Sequence, residues 1–340
     1  MKKNKNPLII LLAVTLAVAA AILYLRQKKG TLREDETGFA VSNIASVQKI
    51  FLADKQMKSV LLEKNSDGVW TVNEKYLARN DLVGVLLNTI RSLKIKSPVT
   101  TAAMDNVISR MAALGIKVEI YQSGEDDPMK VYYVGDATKD GYGTYIKMEN
   151  ADEPFVVHVP GFYGYLTPRY STDEDDWRDR TVFAVPFKDI EEVTVEYPHN
   201  PAGSFRIRDE GNWKFSLKRL ADDSLITLYD TLRLNRYLTF YSQINLESFV
   251  RDDSVVNLMR TLPVVHRIRV RSKTGEEHKV TTFQKPLDIL PQDTADDRVT
   301  YDPDRVFAFV DDTLPVTLQY YVIDKLFYHV ETFFKQDNKK

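Results

Sequence analysis

Ile190-Glu191-Glu192-Val193-Thr194-Val195-Glu196-Tyr197 is the stretch from which the fold is read, together with three neighbouring runs: Ser204-Phe205-Arg206-Ile207-Arg208, Asp209-Glu210-Gly211-Asn212 and Trp213-Lys214-Phe215-Ser216-Leu217. Apolar and polar residues alternate from Val193 to Tyr197 and in the next two strand-like runs, and a Gly-Asn turn separates the last two, so the order is strand, strand, turn, strand. The same order occurs earlier in the chain. Residues 47–52 and 59–63 are β-rich, Asn65-Ser66-Asp67-Gly68 is a turn, and Val69-Trp70-Thr71-Val72 is the next strand.

Working outward, both stretches continue in parallel. After the first, Leu82, Val83, Leu86, Leu87, Ile90 and Leu93 recur at helical spacing behind Asn80 or Asp81 as cap. A strand near 95–99 comes next, then a helix over about 102–114 stopped by Gly115. A hairpin of 116–121 and 129–134 is next, then strands 144–148 and 155–159. After the second, the spacing predicts a helix over about 227–241, a strand near 244–250 and a short helix over 254–262. A hairpin of 267–271 and 279–283, a strand over 305–310 and a final helix from near Pro315 complete it. That helix would carry Leu318, Val322, Leu326, His329, Val330 and Phe333 on one stripe.

Individual residues answer one another. Ile44-x-x-Val47 matches Ile190-x-x-Val193, Gly68-Val69-Trp70 matches Gly211-Asn212-Trp213, and Leu87-Asn88 matches Leu234-Asn235. Gly124 matches Gly275, and Thr144-Tyr145 matches Thr300-Tyr301. The expectation is a tandem duplication of an α+β unit, because the period is far longer than that of a solenoid repeat.

Leu8 to Leu25 is apolar except for Thr15 and Tyr24, with Lys2, Lys3 and Lys5 before it and Arg26, Lys28 and Lys29 after it. At about 1.5 Å per residue such a run spans roughly 27 Å, close to a bilayer's hydrocarbon core. Ala19-Ala20-Ala21 offers a signal-cleavage spacing, but the apolar run continues past it through Leu25, which favours an anchor. The expected layout is a short cytoplasmic tail (1–7), a transmembrane helix (8–25), a linker (26–40), a first α+β unit (41–170), a connector (171–187) and a second α+β unit (188–335). The body would stand outside the inner membrane, with the N-terminus inside.

The 340 residues contain no Cys, which excludes disulfides, thiolate metal sites and thiol catalysis. Residues 1–33 hold seven basic side chains and no acidic one; the remainder holds 39 basic against 48 acidic. An acidic body argues against nucleic acid, whose binding draws on neutralised phosphates.

With the repeated units, the anchor and the connector Trp177-Arg178-Asp179-Arg180-Thr181-Val182-Phe183 in view, the chain resembles domain of unknown function family 4340. Gly68-Val69-Trp70, Gly211-Asn212-Trp213 and Arg178-Asp179-Arg180 carry the resemblance, over nearly the whole chain. It implies one N-terminal membrane helix, no known enzymatic activity and an accessory role beside ABC-type transport or gliding components.

The chain supplies few candidates for chemistry. His158, His199, His266, His278 and His329 make no H-x-x-x-H or H-E-x-x-H spacing. Asp173-Glu174-Asp175-Asp176 is the densest acidic run, but it lacks the calcium-loop pattern and reads as a solvated loop or a partner of Arg178 and Arg180. Asp126-Asp127, Asp252-Asp253 and Asp311-Asp312 read as turns and helix N-termini. There is no nucleophile elbow, P-loop or dinucleotide fingerprint. No catalytic, cofactor-binding or metal residue is assigned, and no cofactor. Phe162-Tyr163-Gly164-Tyr165 and Tyr320-Tyr321 are dense in rings suited to an interface or a sugar face, although core packing is the commoner fate of any one ring. Trp70 and Trp213 are expected in the core. The functional expectation is a non-catalytic, membrane-anchored binding or scaffold protein. Its protein partners would be components of an ABC-type transport or gliding complex, its lipid contact would run through residues 8–25, and a partner strand would add to a sheet edge. The alternative is an envelope glycan-binding or glycan-modifying protein.

Overall fold

In β1 (Val47–Ala53), Val47, Ile50 and Leu52 are buried, and the break in their alternation is a register shift between Val47 and Lys49. This strand is the hinge of the first sheet. It pairs with β2 (Ser59–Lys64) on one side and β6 (Ile116–Gln122) on the other. Beyond β2 lie β3 (Trp70–Val72) and β4 (Tyr76–Leu77); beyond β6 lie β7 (Lys130–Ala137), β8 (Thr144–Met148), β9 (Phe155–His158) and β5 (Lys94–Pro98). The computed structural model describes residues 38–287 and 300–335.

The second sheet is built around β11 (Ile190–Glu196) in the same way. On one side come β12 (Phe205–Asp209), β13 (Phe215–Arg219) and β14 (Leu225–Ile226). On the other come β17 (Val264–Ser272), β18 (Glu277–Pro286), β19 (Tyr301–Val310), β20 (Leu314–Gln319) and β16 (Ser248–Phe249). Strand for strand, the order is that of the first sheet, and every pairing is antiparallel. A small ladder joins β10 (Thr181–Phe183) to β15 (Ile244–Asn245). The chain divides into two units between Asp179 and Arg180, inside the 171–187 segment.

Each sheet packs one face on a helix. In the first unit α1 (Asn80–Ser92) lays Val83, Leu86 and Ile90 against Ile50, Leu62, Ile120 and Val134. In the second, after α2 (Thr101–Leu114) and α3 (Glu174–Trp177) of the first, α4 (Thr231–Thr239) lays Leu234, Tyr237 and Leu238 against Val193, Ile207 and Val270. Each fully buried Leu, Ile or Val contributes about 1.5–3 kcal/mol relative to exposure. The opposite faces are only partly covered. There α2 places Val107 and Met111 on Val99 and Val156, and α5 (Asp253–Thr261) places Met259 on Phe283, Phe307 and Phe309.

The α+β reading is corrected, and the transmembrane helix placed before it is not among the elements shown. The described residues form a β-rich sandwich with few, short helices, because α1, α2, α4 and α5 are thin cover on much larger sheets. Among the described residues no helix is long and apolar enough to cross a membrane. The apolar run 8–25 lies outside the described residues.

Three finer expectations also change. The cross-strand pairs Lys64–Trp70 and Asp209–Phe215 show that Phe215, not Trp213, stands where Trp70 stands. Trp70 is 6% exposed, whereas Trp213 is 64% exposed, in a left-handed turn position (φ 60°), stacked on Phe187. Val83 and Leu234 hold matching positions, each donating its N–H to the carbonyl of the helix-capping residue, so Leu87 does not match Leu234. The final helix is not formed: Leu314–Gln319 is strand β20, succeeded by the single turn α6 (Tyr320–Ile323) and short 3-10 turns. Leu318, Leu326, Val330 and Phe333 are nevertheless fully buried. The chain returns to the core every three or four residues without being one helix.

Candidate functional site

The segments after the last strand of each hairpin series present bare rings. Tyr163, after β9, is 87% exposed, and Tyr321, after β20, is 88% exposed. Phe162 and Tyr165 are also exposed, while Tyr320 is half-buried. In the first unit a further ring joins them: Tyr142, in the β7–β8 turn, meets Tyr163 edge-to-face at 6.4 Å.

The turn that carries Tyr142 is held by polar contacts. Thr138 Oγ1 and the Tyr142 N–H both donate to Asp140 Oδ1, at 2.5 and 3.0 Å. Lys96 Nζ donates to the Tyr142 carbonyl at 3.2 Å and to Asp140 at 3.4 Å. Gly141 sits at φ +72°, a conformation that other residues rarely adopt. The Thr138 hydroxyl, the Tyr142 N–H and Lys96 together hold the Asp140 carboxyl below its usual range despite slight desolvation. The loop after β9 is clamped as well. Arg169 lies 4.0 Å over the Phe162 ring and donates to Thr89 Oγ1 on α1 at 2.7 Å. Tyr142 and Phe162 are therefore held in place, which lowers the entropy lost when a partner is bound.

Beside this turn a cleft of about 540 Å³ opens between α2 and the ends of β7 and β8. Asn106, Arg110, Asp136, Lys139 and Tyr145 supply its polar lining, and Val107 and Met111 part of its apolar lining. Arg110 Nε and Asp136 Oδ2 form an ion pair at 2.5 Å across it.

The remaining candidates resolve into structural roles. Asp173 caps α3 by accepting the Asp175 N–H, Asp175 pairs with Arg178 at 3.1 Å, and Asp176 accepts from the Ser171 hydroxyl. Glu174 accepts from Asn73 Nδ2. Asp252 caps α5, and Asp311 and Asp312 form the left-handed β19–β20 turn. Trp177 is buried in the first core, with Nε1 donating to the Ser171 carbonyl. His158 ends β9, His199 is exposed, and His278 lies 3.6 Å from Asp311. Only His266 and His329 come together, each meeting the Tyr197 ring edge-to-face, at 5.3 and 4.5 Å. Among the described residues no cluster of three potential metal ligands occurs.

Strand addition finds little foothold. The end strands β4, β14 and β16 are two residues long, and β5 carries Lys94, Lys96 and Pro98, all features that blunt an edge. Sequence reasoning does not single out Tyr142, although the flanking glycines of Gly141-Tyr142-Gly143 mark an exposed turn.

The chain belongs to the family described as Domain of unknown function (DUF4340), whose family model matches residues 45–259. The match covers the whole first sheet and stops at Met259, before β17, so it is shorter than the resemblance implied. Neither a curated relative nor a solved structure matches the chain.

Proposed function

We propose that this chain is a non-catalytic binding or scaffold protein whose protein partner docks on the aromatic loops of the first unit. The observation that carries the reading is the set of exposed rings Tyr142, Phe162, Tyr163 and Tyr165, with Tyr142 and Phe162 on hydrogen-bonded backbone. Tyr is favoured at interfaces because it offers a large rigid face at low entropic cost. Attachment to the bilayer through residues 8–25, an extracytoplasmic body and an ABC-type transport partner belong to the same proposal. They rest on the apolar segment and on the family resemblance. A glycan-modifying reading needs two free carboxylates beside the rings; Asp140 and Asp136 are instead engaged by Lys96 and Arg110.

The test is co-purification from detergent-solubilised membranes with the triple variant Tyr142→Ser, Tyr163→Ser, Tyr165→Ser. Loss of a transport component at unchanged melting temperature supports the reading. Retention of every partner overturns it.

A further inference from the structure

The outer faces of the two sheets carry different chemistry at matching positions. In the second unit, cross-strand neighbours Lys218, Arg206, Thr194, Arg269 and Lys279 form one row across β13, β12, β11, β17 and β18. With strands about 4.8 Å apart, the row is roughly 19 Å long. It contains four cations and no acid. In the first unit the matching row is Asn73, Leu61, Phe51, Glu119 and Val131, with no cation. Like charges directly opposite each other are unfavourable on a sheet, so the row is not a device for stability.

The acids that answer these cations stand to the side. Glu192 is 3.6 Å from Arg206 and Glu277 is 3.5 Å from Arg269, both longer than a hydrogen bond. Asp223 holds Lys218 and Asp312 holds Lys279 at the two ends. At the centre Thr194 is 4% exposed, and its hydroxyl has no hydrogen-bond partner; the Nε of Arg206 also has none. A buried, unpartnered hydroxyl flanked in register by two arginines, each in only a loose ion pair, is an incomplete polar site.

We propose that Arg206, Thr194 and Arg269 form an oxoanion site on the outer face of the second sheet, taking a phosphate-type group. The two arginines lie on strands either side of Thr194, so their backbones are about 10 Å apart, and their arms would meet above it by turning from Glu192 and Glu277. Each guanidinium offers paired N–H donors that match two oxygens of such a group, and the hydroxyl supplies a third contact. The site is independent of the aromatic loops and stands whether or not a partner docks there.

The test is calorimetric titration of the full-length protein with inorganic phosphate at constant ionic strength, chloride serving as control. One phosphate per chain is expected, bound about tenfold more weakly or worse by Arg206→Gln or Arg269→Gln. Thr194→Val should weaken binding without lowering the melting temperature, and Arg269→Lys should fall between wild type and Arg269→Gln. Vesicles of phosphatidylglycerol, compared with phosphatidylcholine, distinguish the sources. Binding to the anionic vesicles that is lost in the Arg variants assigns the site to lipid headgroups; binding of free phosphate alone assigns it to a soluble ligand. Absence of binding in both arms, or phosphate binding that these substitutions leave unchanged, overturns the proposal.

Discussion

Trp177 and Phe333 hold the same position in the two units. The Trp177 carbonyl accepts the N–H of Arg79 at 2.7 Å, and the Phe333 carbonyl accepts the N–H of Asp230 at 2.8 Å. Arg79 and Asp230 are the capping residues of α1 and α4. The next residues along make matching bridges, Arg178 with Ala78 and Phe334 with Tyr229. Each unit is thus closed by its own late segment, which pairs beside the short end strand and inserts an aromatic ring into the core.

Because both rings are buried, Trp177→Ala and Phe333→Ala should each lower the unfolding free energy by about 3–5 kcal/mol, read by urea denaturation. A loss under 1 kcal/mol, roughly that of an ordinary surface change, would show that closure is not structural.

Trp213 is a contrasting case. Trp213→Ala removes only a stacked contact with Phe187 and should cost about 0.5–1.5 kcal/mol. Trp70→Ala, in the core, should cost about 3–5 kcal/mol. Iodide should quench Trp213 fluorescence and leave Trp70 and Trp177 largely shielded. Equal quenching of all three would contradict this placement.

His266 makes the second unit sensitive to acid. Burial, with His329 nearby, pushes its imidazole down to about 4. The ring stacks on Phe327 at 3.7 Å, and Nδ1 bonds with Thr282 Oγ1 at 2.8 Å. A depressed histidine is protonated more readily in the unfolded chain. Its stabilisation is therefore complete above an unfolded value of about 6.5 and is lost as pH falls toward 4, up to about 2–3 kcal/mol. His266→Phe should flatten the stability profile between those pH values; an unaltered slope would mean that another group titrates there.

The membrane proposal has its own measurement. The full-length protein should stay with the membrane fraction through a carbonate wash, since roughly 18 apolar residues suffice to span a bilayer. Recovery in the supernatant, or a mature N-terminus at Ile22, would remove the anchor.

The strand order was legible because turns such as Asn65-Ser66-Asp67-Gly68 punctuate alternating runs. Register was not. A shared Gly-x-Trp placed Trp213 on Trp70, but pairing sets Phe215 there; the turn in the second unit ends two residues later, so the same letters fall on opposite sides of the core boundary. In the same way Thr144-Tyr145 corresponds to Val306-Phe307 rather than Thr300-Tyr301, since Thr144 pairs with Val157 as Val306 pairs with Leu318. From Leu318 to Phe333 a spacing of three and four suggested a helix, yet strand, turn and 3-10 segments repeat that spacing. The exposed rings could be found as residues but not as exposed ones. The row through Thr194 was visible only as Arg206-x-Arg208 and Arg267-x-Arg269-x-Arg271, since its meaning depends on which strands adjoin.

The late closing segments also set a timetable for synthesis. A growing chain emerges N-terminus first, and domains generally fold as units during synthesis. The first unit cannot seal the side of β4 until residues 177–179 have left the ribosome, by which point all nine of its strands are already out. The second must wait for Phe334, so its apolar face and unpaired backbone stand open through the translation of β11 to β20. A nascent chain stalled before Phe334 would leave that side of the second unit open.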